Sequence, residues 1–373
     1  MASKVPLFSV EAANRGIDLT GAFSRVANSH WFILGGEVAG FERAFANYVG
    51  VGACVSLANG TDALELSLRA LDVTRDDSVA LVANAGFYGS TAVHAIGANP
   101  LYVDIDADSL TMSPSALREA LLRHKPKAII VTHLYGQLAA IEDIAEIASR
   151  AGVPLIEDCA QAHGAMRGQR MAGSFGTFGC FSFYPTKNLG ALGDGGAVTC
   201  SDEALAKKVK VLRQYGWNTK YSVETAGGRN SRMDEVQAAI LHEKLPHLDG
   251  WNAERKAVAR RYGAAFADLP VRTAASVDDD YVAHLYVIRT REREALRAFI
   301  GERGVASEVH YPIPDHYQRA YATASAAHDV HLPVTEQSTT EILTLPCFPG
   351  MTEEQVNHVI AAVHAFFDRA PRQ

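Results

Sequence analysis

The feature that most constrains this chain is a repeated alternation of short β-rich runs and helical patterns through its first two-thirds. "ACVSLA" leads into "GTDALELSLRAL", and "SVALVA" into "STAVHAIG". "PLYVDI" then precedes "SPSALREALLR", and "KAIIVTHL" precedes "IEDIAEIASRAG". The first run of each pair suits a buried strand, and the second places apolar residues on one helical face. Such a succession predicts a mostly parallel central sheet flanked by helices, an α/β fold. A further strand, "VPLIED", follows Gly152, which suits a helix stop, and leads into a Gly-rich irregular segment.

After Val198 the pattern changes. A helical stretch starts near Asp202, a polar loop "GWNTKYSVETAGGRNSR" follows, and a long helical region runs from about Met233 towards Tyr262, bent near Pro246. The remainder has strand-like "HLYVIRT" and "SEVHYP", with helices at "EREALRAFIGERG" and "TEEQVNHVIAAVHAFF". The expected division is a large α/β domain over residues 1–250 and a smaller C-terminal α+β domain over 251–373. The chain has 373 residues, enough for roughly two domains.

The net charge of −7 argues against nucleic acid or an anionic membrane surface as the main partner. Five scattered cysteines with no CxxC pair read as buried free thiols of a reducing compartment, and they point to no metal. The N-terminal "MASKVPLFSVEAANRG" lacks the apolar core of a signal peptide, and no apolar run reaches membrane-spanning length. The expected location is the cytoplasm.

In α/β sheets ligands bind where loops leave the carboxyl ends of strands. Several unusual stretches fall there. "NGTDAL" puts Gly60 and Thr61 at a helix N-terminus, an anion site by geometry and dipole, or a helix capped by Thr61 or Asp62. "NAGFYGST" offers Phe87 or Tyr88 as a flat ring, or as core. "IEDCAQAHGA" ends a buried strand with Glu157 and Asp158, with Gln161 and His163 close behind. One of these carboxylates is expected to hold a cation or a protonated nitrogen, unless Asp158 caps the turn.

"FSFYPTKNLGALGDGGAV" carries Lys187, the only lysine between Lys127 and Lys207. In such surroundings the ammonium is disfavoured and the amine becomes available as nucleophile and base. The inert alternative pairs it with Asp158 or Asp194. A phosphate site, an aromatic platform, a carboxylate for a ring nitrogen and an isolated lysine together describe a pyridoxal phosphate site. No strand leads into GxGxxG, which speaks against a nicotinamide-dependent oxidoreductase.

These motifs, in this order, resemble the sugar-nucleotide aminotransferases of the DegT/DnrJ/EryC1/StrS family, which have the aspartate-aminotransferase fold. The similarity runs from "WFILGGEVAGFERAFANYVG" at Trp31 to "LPCFPGMTEEQVNHVI". The resemblance implies that Lys187 bonds covalently to pyridoxal phosphate and that Asp158 holds the pyridine nitrogen protonated. It further places Gln161 near the ring hydroxyl, Phe87 against the ring, and Gly60, Thr61 and Ser182 on the phosphate. Asn230 matches an asparagine that reaches the cofactor phosphate of the neighbouring subunit, which implies a homodimer with shared active sites. Retention of Lys187 speaks against the dehydrating relatives, which carry histidine there.

The loop "KYSVETAGGRNSRMDEVQAA" is similar to the pattern "KYxHExxGxNSRxDExQAA" of the branch that aminates C-3 of dTDP-3-keto-6-deoxyhexoses. That branch implies a nucleotide-linked keto sugar and L-glutamate as substrates, with Tyr184, His310, Tyr311 and the partner subunit's Lys220 as sugar-nucleotide contacts. The alternative is amination at C-4 of a dTDP- or UDP-4-keto-6-deoxyhexose, whose enzymes more often carry an aromatic pair around the asparagine, as in "GYNYR". This chain departs from the pattern at Val223, around Gly227 and Gly228, and at Gly86, where many relatives have threonine.

Overall fold

The computed structural model describes residues 4–273, 277–321 and 330–369. Strands β1 (Ala53–Leu57), β2 (Ser78–Leu81), β3 (Asn99–Tyr102), β4 (Ala128–Thr132) and β5 (Leu155–Asp158) arise from the β-rich runs of the repeat. A short hairpin, β6 (Met166–Arg167) and β7 (Arg170–Met171), precedes β8 (Phe178–Ser182) and β9 (Gly196–Cys200). Seven of these build one sheet in the order β1-β9-β8-β5-β4-β2-β3. Neighbours from β8 through β3 are parallel, and β9 alone runs against both of its neighbours. The mostly parallel sheet expected from the repeat is therefore present.

The sheet is buried on both faces. Every residue of β4 and β9 is buried, as strands covered by helices on both sides require. On one face Val55, Ile130, Ile156 and Val198 pack with the helices Gly60–Ala70, Tyr88–Ala95 and Glu203–Leu212. On the other, Phe41 and Phe45 of the helix Gly36–Val49 meet Phe181 and Phe183. Beside them Ile129 and Val131 join Val258, Tyr262 and the C-terminal helix Glu353–Phe367 in one continuous core.

After a small hairpin, β10 (Trp217–Thr219) and β11 (Ser222–Val223), two helices, Glu235–Lys244 and Leu248–Ala265, meet at a 3₁₀ turn that holds Pro246. Proline lacks the amide that a continuous helix needs, so the break falls where the sequence put it. The C-terminal region pairs β12 (Tyr286–Arg289) with β13 (Ile342–Leu345). The strand-like "SEVHYP" does not form a strand: it contributes a single bridge, Glu308 to Thr344, and "ILTL" supplies the partner of β12. His310 and Tyr311 are thereby freed from a ladder and turn towards the sheet.

The carboxyl ends of β1, β2, β4, β5 and β8 lie on one edge, and the reversed β9 enters from that same edge. Register shows it directly: Thr132 lies beside Asp158, and Gly196 lies beside both Leu57 and Ser182. A Cβ on Gly196 would come within 2.2 Å of the Asn59 carbonyl oxygen, so only glycine lets β9 pass the turn that carries Gly60.

Candidate active site

That edge opens into a cavity of about 920 Å³. Among its walls are Gly60, Thr61, Asp158, Gln161, Ser182, Tyr184, Lys187, His310 and Tyr311, residues separated by as many as 251 positions in sequence (60 to 311). Lys187 enters from the loop after β8. Burial disfavours its ammonium and lowers its pKa to about 8, opposed by the Asp158 charge. Its Nζ makes no hydrogen bond or ion pair among the described residues. The inert alternative, a lysine neutralised by Asp158 or Asp194, is therefore not what the chain builds.

Asp158 terminates β5 and is buried. One carboxylate oxygen accepts from the Ala160 amide at 3.1 Å, and the other faces the Thr132 hydroxyl at 3.4 Å. Burial raises its pKa; the Ala160 hydrogen bond and the Lys187 charge pull the other way without restoring it. This is a carboxylate held in a dry site without its full set of partners.

Its neighbour Glu157 points to the opposite face, as strand alternation dictates. There it accepts backbone N–H groups of Gly173 (2.9 Å), Phe175 (2.7 Å) and Gly176 (2.7 Å), and pairs with His133 Nε2 at 3.0 Å. Glu157 is thus a structural hub for the segment before β8. His133, Glu157 and Cys159 lie within 4.8 Å of one another, yet the glutamate oxygens already serve four donors. His163 is fully buried against Phe181 and Phe183, with its pKa lowered to about 3 by burial, so it is a neutral core ring.

At the far end of the sheet edge, the helix Gly60–Ala70 is capped by Asn59, whose side chain accepts from the Asp62 amide at 2.8 Å. The cap is neither Thr61 nor Asp62. The amides of Gly60 and Thr61 fall in the first turn, where no helical carbonyl can accept from them. A Cβ on Gly60 would stand 2.7 Å from Ser182 Cβ, so glycine brings the two segments together at this helix start.

Gln161 is oriented by the fold. Its Oε1 accepts from the Tyr135 amide at 2.6 Å, which leaves Nε2 to donate to the Tyr311 hydroxyl at 3.1 Å. His310 pairs through Nδ1 with the Thr344 hydroxyl at 2.9 Å, and burial lowers its pKa, so the ring is neutral at pH 7.

The aromatic expectation moves by one residue. Phe87 adopts φ +70° as N-cap of the helix Tyr88–Ala95, and its ring packs on His94 and Tyr321. Phe87 does not line the cavity; Tyr88 does, edge-on to Tyr311. Gly86 explains the departure from threonine at that position. At φ +78°, a Cβ there would lie 2.8 Å from the Tyr311 ring.

Lys220 and Asn230 lie outside this cavity and are exposed. Lys220 sits over the Tyr221 ring at 5.0 Å, and Asn230 bridges Gln214. Arg229, next to Asn230, does line the cavity and pairs with Asp62 and Glu65.

The sequence profile of the DegT/DnrJ/EryC1/StrS aminotransferase family matches residues 16–364. The chain belongs to that family. It is 42% identical over 353 residues to the dTDP-3-amino-3,6-dideoxy-alpha-D-galactopyranose transaminase of Aneurinibacillus thermoaerophilus, covering 94% of this chain and 95% of that protein. It is 39% identical over 370 residues to the dTDP-3-amino-3,4,6-trideoxy-alpha-D-glucose transaminase of Streptomyces venezuelae, covering 98% and 97%. The crystal structure of S. venezuelae DesV superposes with a TM-score of 0.93 at 39% identity, covering 98% of this chain and 99% of that one. NtdA of Bacillus subtilis, solved with its cofactor PMP, gives a TM-score of 0.92 at 29% identity over 99% of this chain and 86% of that one.

Pyridoxal phosphate is the cofactor of this family, and the site of this aminotransferase fits it. An amine without a partner, an under-satisfied buried carboxylate and free first-turn amides beside a serine are the three anchors such a molecule needs. Sequence reasoning did not single out Thr132, His284 or Thr344, which also line the cavity. A polar residue closing an apolar strand, as in "IIVTHL", was the available signal for Thr132. His284 and Thr344 come from the C-terminal region, and only the tertiary fold brings them here. Among the described residues, no helix is long and apolar enough to cross a membrane.

Proposed function

We propose that this aminotransferase moves an amino group from L-glutamate to C-3 of a dTDP-3-keto-6-deoxyhexose, giving a dTDP-3-amino-3,6-dideoxyhexose. The observation that carries the reading is the 42% identity, over nearly the whole chain, to a transaminase named for such a sugar. The "NSRMDE" segment and the His310–Tyr311 pair at the cavity support it.

In this reading Lys187 Nζ is the covalent attachment point of pyridoxal phosphate. The cofactor, when bound, supplies an electron sink that lets the amino group pass from donor to acceptor. As a free amine at the substrate carbon, Lys187 would take the proton from the donor's carbon and pass it on within the same half-reaction, and would deliver a proton to the sugar carbon in the second. A pKa near 8 suits an amine that must do both near neutrality. Asp158 keeps the ring nitrogen protonated. An N–H⁺ facing it would supply the opposite charge that its buried carboxylate lacks, and so would favour the ionised form. Gly60, Thr61 and Ser182 take the phosphate, Gln161 stands by the ring hydroxyl, and Tyr88 rather than Phe87 offers the aromatic face. Tyr184, His310 and Tyr311 contact the sugar.

The same reading includes a homodimer in which Asn230 and Lys220 serve the partner's site, on phosphate and sugar nucleotide. Both are exposed here, and the nearby Trp31 (62%), Phe32 (55%), Tyr221 (75%) and Val223 (63%) are unusually exposed for large apolar side chains.

The test is regiochemical. The holoenzyme with glutamate is given, separately, dTDP-3-keto and dTDP- or UDP-4-keto 6-deoxyhexoses, and products are read by mass and NMR. Amination of the dTDP-3-keto sugar alone is expected. Amination only of a 4-keto sugar would overturn the carbon assignment and leave the aminotransferase chemistry standing.

A further inference from the structure

Two segments far apart in sequence close over the cavity: the loop after β2, residues 84–91, and residues 310–317 of the C-terminal region. Asp315 joins them. It is 2% exposed, and its carboxylate is the acceptor at the start of the helix Tyr88–Ala95. Oδ1 accepts from the Phe87 amide at 3.0 Å, and Oδ2 accepts from the Ser90 hydroxyl at 2.6 Å. Ser90, itself fully buried, also meets the Tyr102 hydroxyl at 3.1 Å. The Asp315 amide donates to the Ala83 carbonyl just past the end of β2, at 2.7 Å.

The helix needs this outside help. Its N-cap residue is Phe87, which has no side-chain acceptor, and no local cap is formed. A carboxylate at a helix N-terminus is favoured by the dipole as well as by the hydrogen bonds. Phe87 completes the joint from the other side, its ring resting on Tyr321 at 5.1 Å.

Between these fixed points lie the two rings that face the cavity. Tyr88 follows the clamped Phe87, and Tyr311 lies four residues before Asp315. Their centroids are 6.1 Å apart, and Tyr311 fills the space that Gly86 leaves. We propose that Asp315 is a positioning residue, which locks the loop after β2 to the 310–317 segment and so sets the distance between Tyr88 and Tyr311 across the mouth of the substrate site. Asp315 does not line the cavity; it acts through those two tyrosines.

The inference rests on the sugar-nucleotide reading of this cavity only for its kinetic arm. Asp315→Asn keeps the shape but turns an amino group towards one of the two donors, and Ser90→Ala removes one donor with little disturbance of packing. Both holoenzymes are examined by hydrogen exchange and by separate half-reactions. Exchange is expected to quicken in peptides 84–91 and 310–317 and to stay unchanged in β4 and β5. KM for the dTDP-3-keto sugar, which meets both rings, should rise about tenfold, while the half-reaction with glutamate, followed by cofactor absorbance and exposed only to the shift of Tyr88, should fall clearly less. Unaltered exchange in 84–91, or an equal fall in both half-reactions, would overturn the proposal. Were the wild type to aminate no keto sugar, the substrate reading would fail, and local exchange would still decide the clamp.

Discussion

Lys187 and Asp158 face one cavity from adjacent strand ends and form no ion pair, although each feels the other's charge. In both, burial disfavours the charged form, a cost that a molecule between them would relieve. Lys187→Ala is therefore expected to lose covalent fixation of pyridoxal phosphate altogether. Borohydride reduction followed by intact-mass measurement should show added cofactor on the wild type and none on the variant. Turnover should fall by about 10³-fold or more. A variant that still gained the cofactor mass would place the attachment elsewhere.

Asp158 makes a prediction of opposite sign for stability and for catalysis. Burial raises its pKa above the usual 3.8 in the cofactor-free fold. A carboxyl with a raised folded pKa binds its proton more tightly in the folded chain than in the unfolded one. Stability is then lost as pH climbs from about that usual value through the raised one, and none is lost below it. Asp158→Asn, which stays neutral, should give cofactor-free protein at least as resistant to urea as the wild type at pH 7. The difference should vanish as pH falls towards 4. The same variant, loaded with cofactor, should turn over roughly 10²-fold or more slowly, because the proton on the ring nitrogen is no longer held.

Glu157, one residue away, behaves in the reverse manner. Its carboxylate serves three backbone amides and His133, all inside the fold. Glu157→Gln must turn an amino group towards donors. The expected loss is roughly 2–4 kcal/mol of unfolding free energy, measured in denaturant, with little change in kcat for the fraction that remains folded. A chelator should leave wild-type activity unchanged. A large loss of kcat in a stable Glu157→Gln protein would show that the hub reaches the chemistry.

These neighbours show how far sequence carried the reading. The alternation of strand and helix was legible because β4 and its companions are buried on both faces and read as unbroken apolar runs. Lys187 stood out because a lysine in apolar, Gly-rich surroundings needs a reason. What could not be read was direction. "IED" contains two acids, and only the pleat decides that Asp158 meets the cavity while Glu157 meets backbone amides. Likewise "GFYG" contains two rings, and the αL turn at Phe87 sends the first onto Tyr321 and leaves the second for the site. The strand expected at "SEVHYP" failed for a related reason. β12 finds its partner in "ILTL", and "SEVHYP" is left as the segment that delivers His310 and Tyr311. Glu235 of "NSRMDE" had a plain task that the motif hid: it accepts from the Gly35, Glu37 and Val38 amides and so caps the helix Gly36–Val49.

Asn230 and Lys187 test the shared site. Asn230 is exposed and absent from the walls of its own chain's cavity, which fits a residue that serves a partner. Sedimentation should give a dimer. Inactive Lys187→Ala and impaired Asn230→Ala proteins, unfolded and refolded together in equal amounts, should then regain activity. If each site takes its lysine from one subunit and its asparagine from the other, every mixed dimer holds one doubly defective site and one intact site. Half of the dimers are mixed, so about a quarter of wild-type activity returns. If Asn230 serves its own chain, a mixed dimer contains one site lacking lysine and one lacking asparagine, and nothing is regained beyond the average of the two variants. The arithmetic separates the two arrangements without a structure of the complex, because only exchange between subunits can create an intact site from two defective chains.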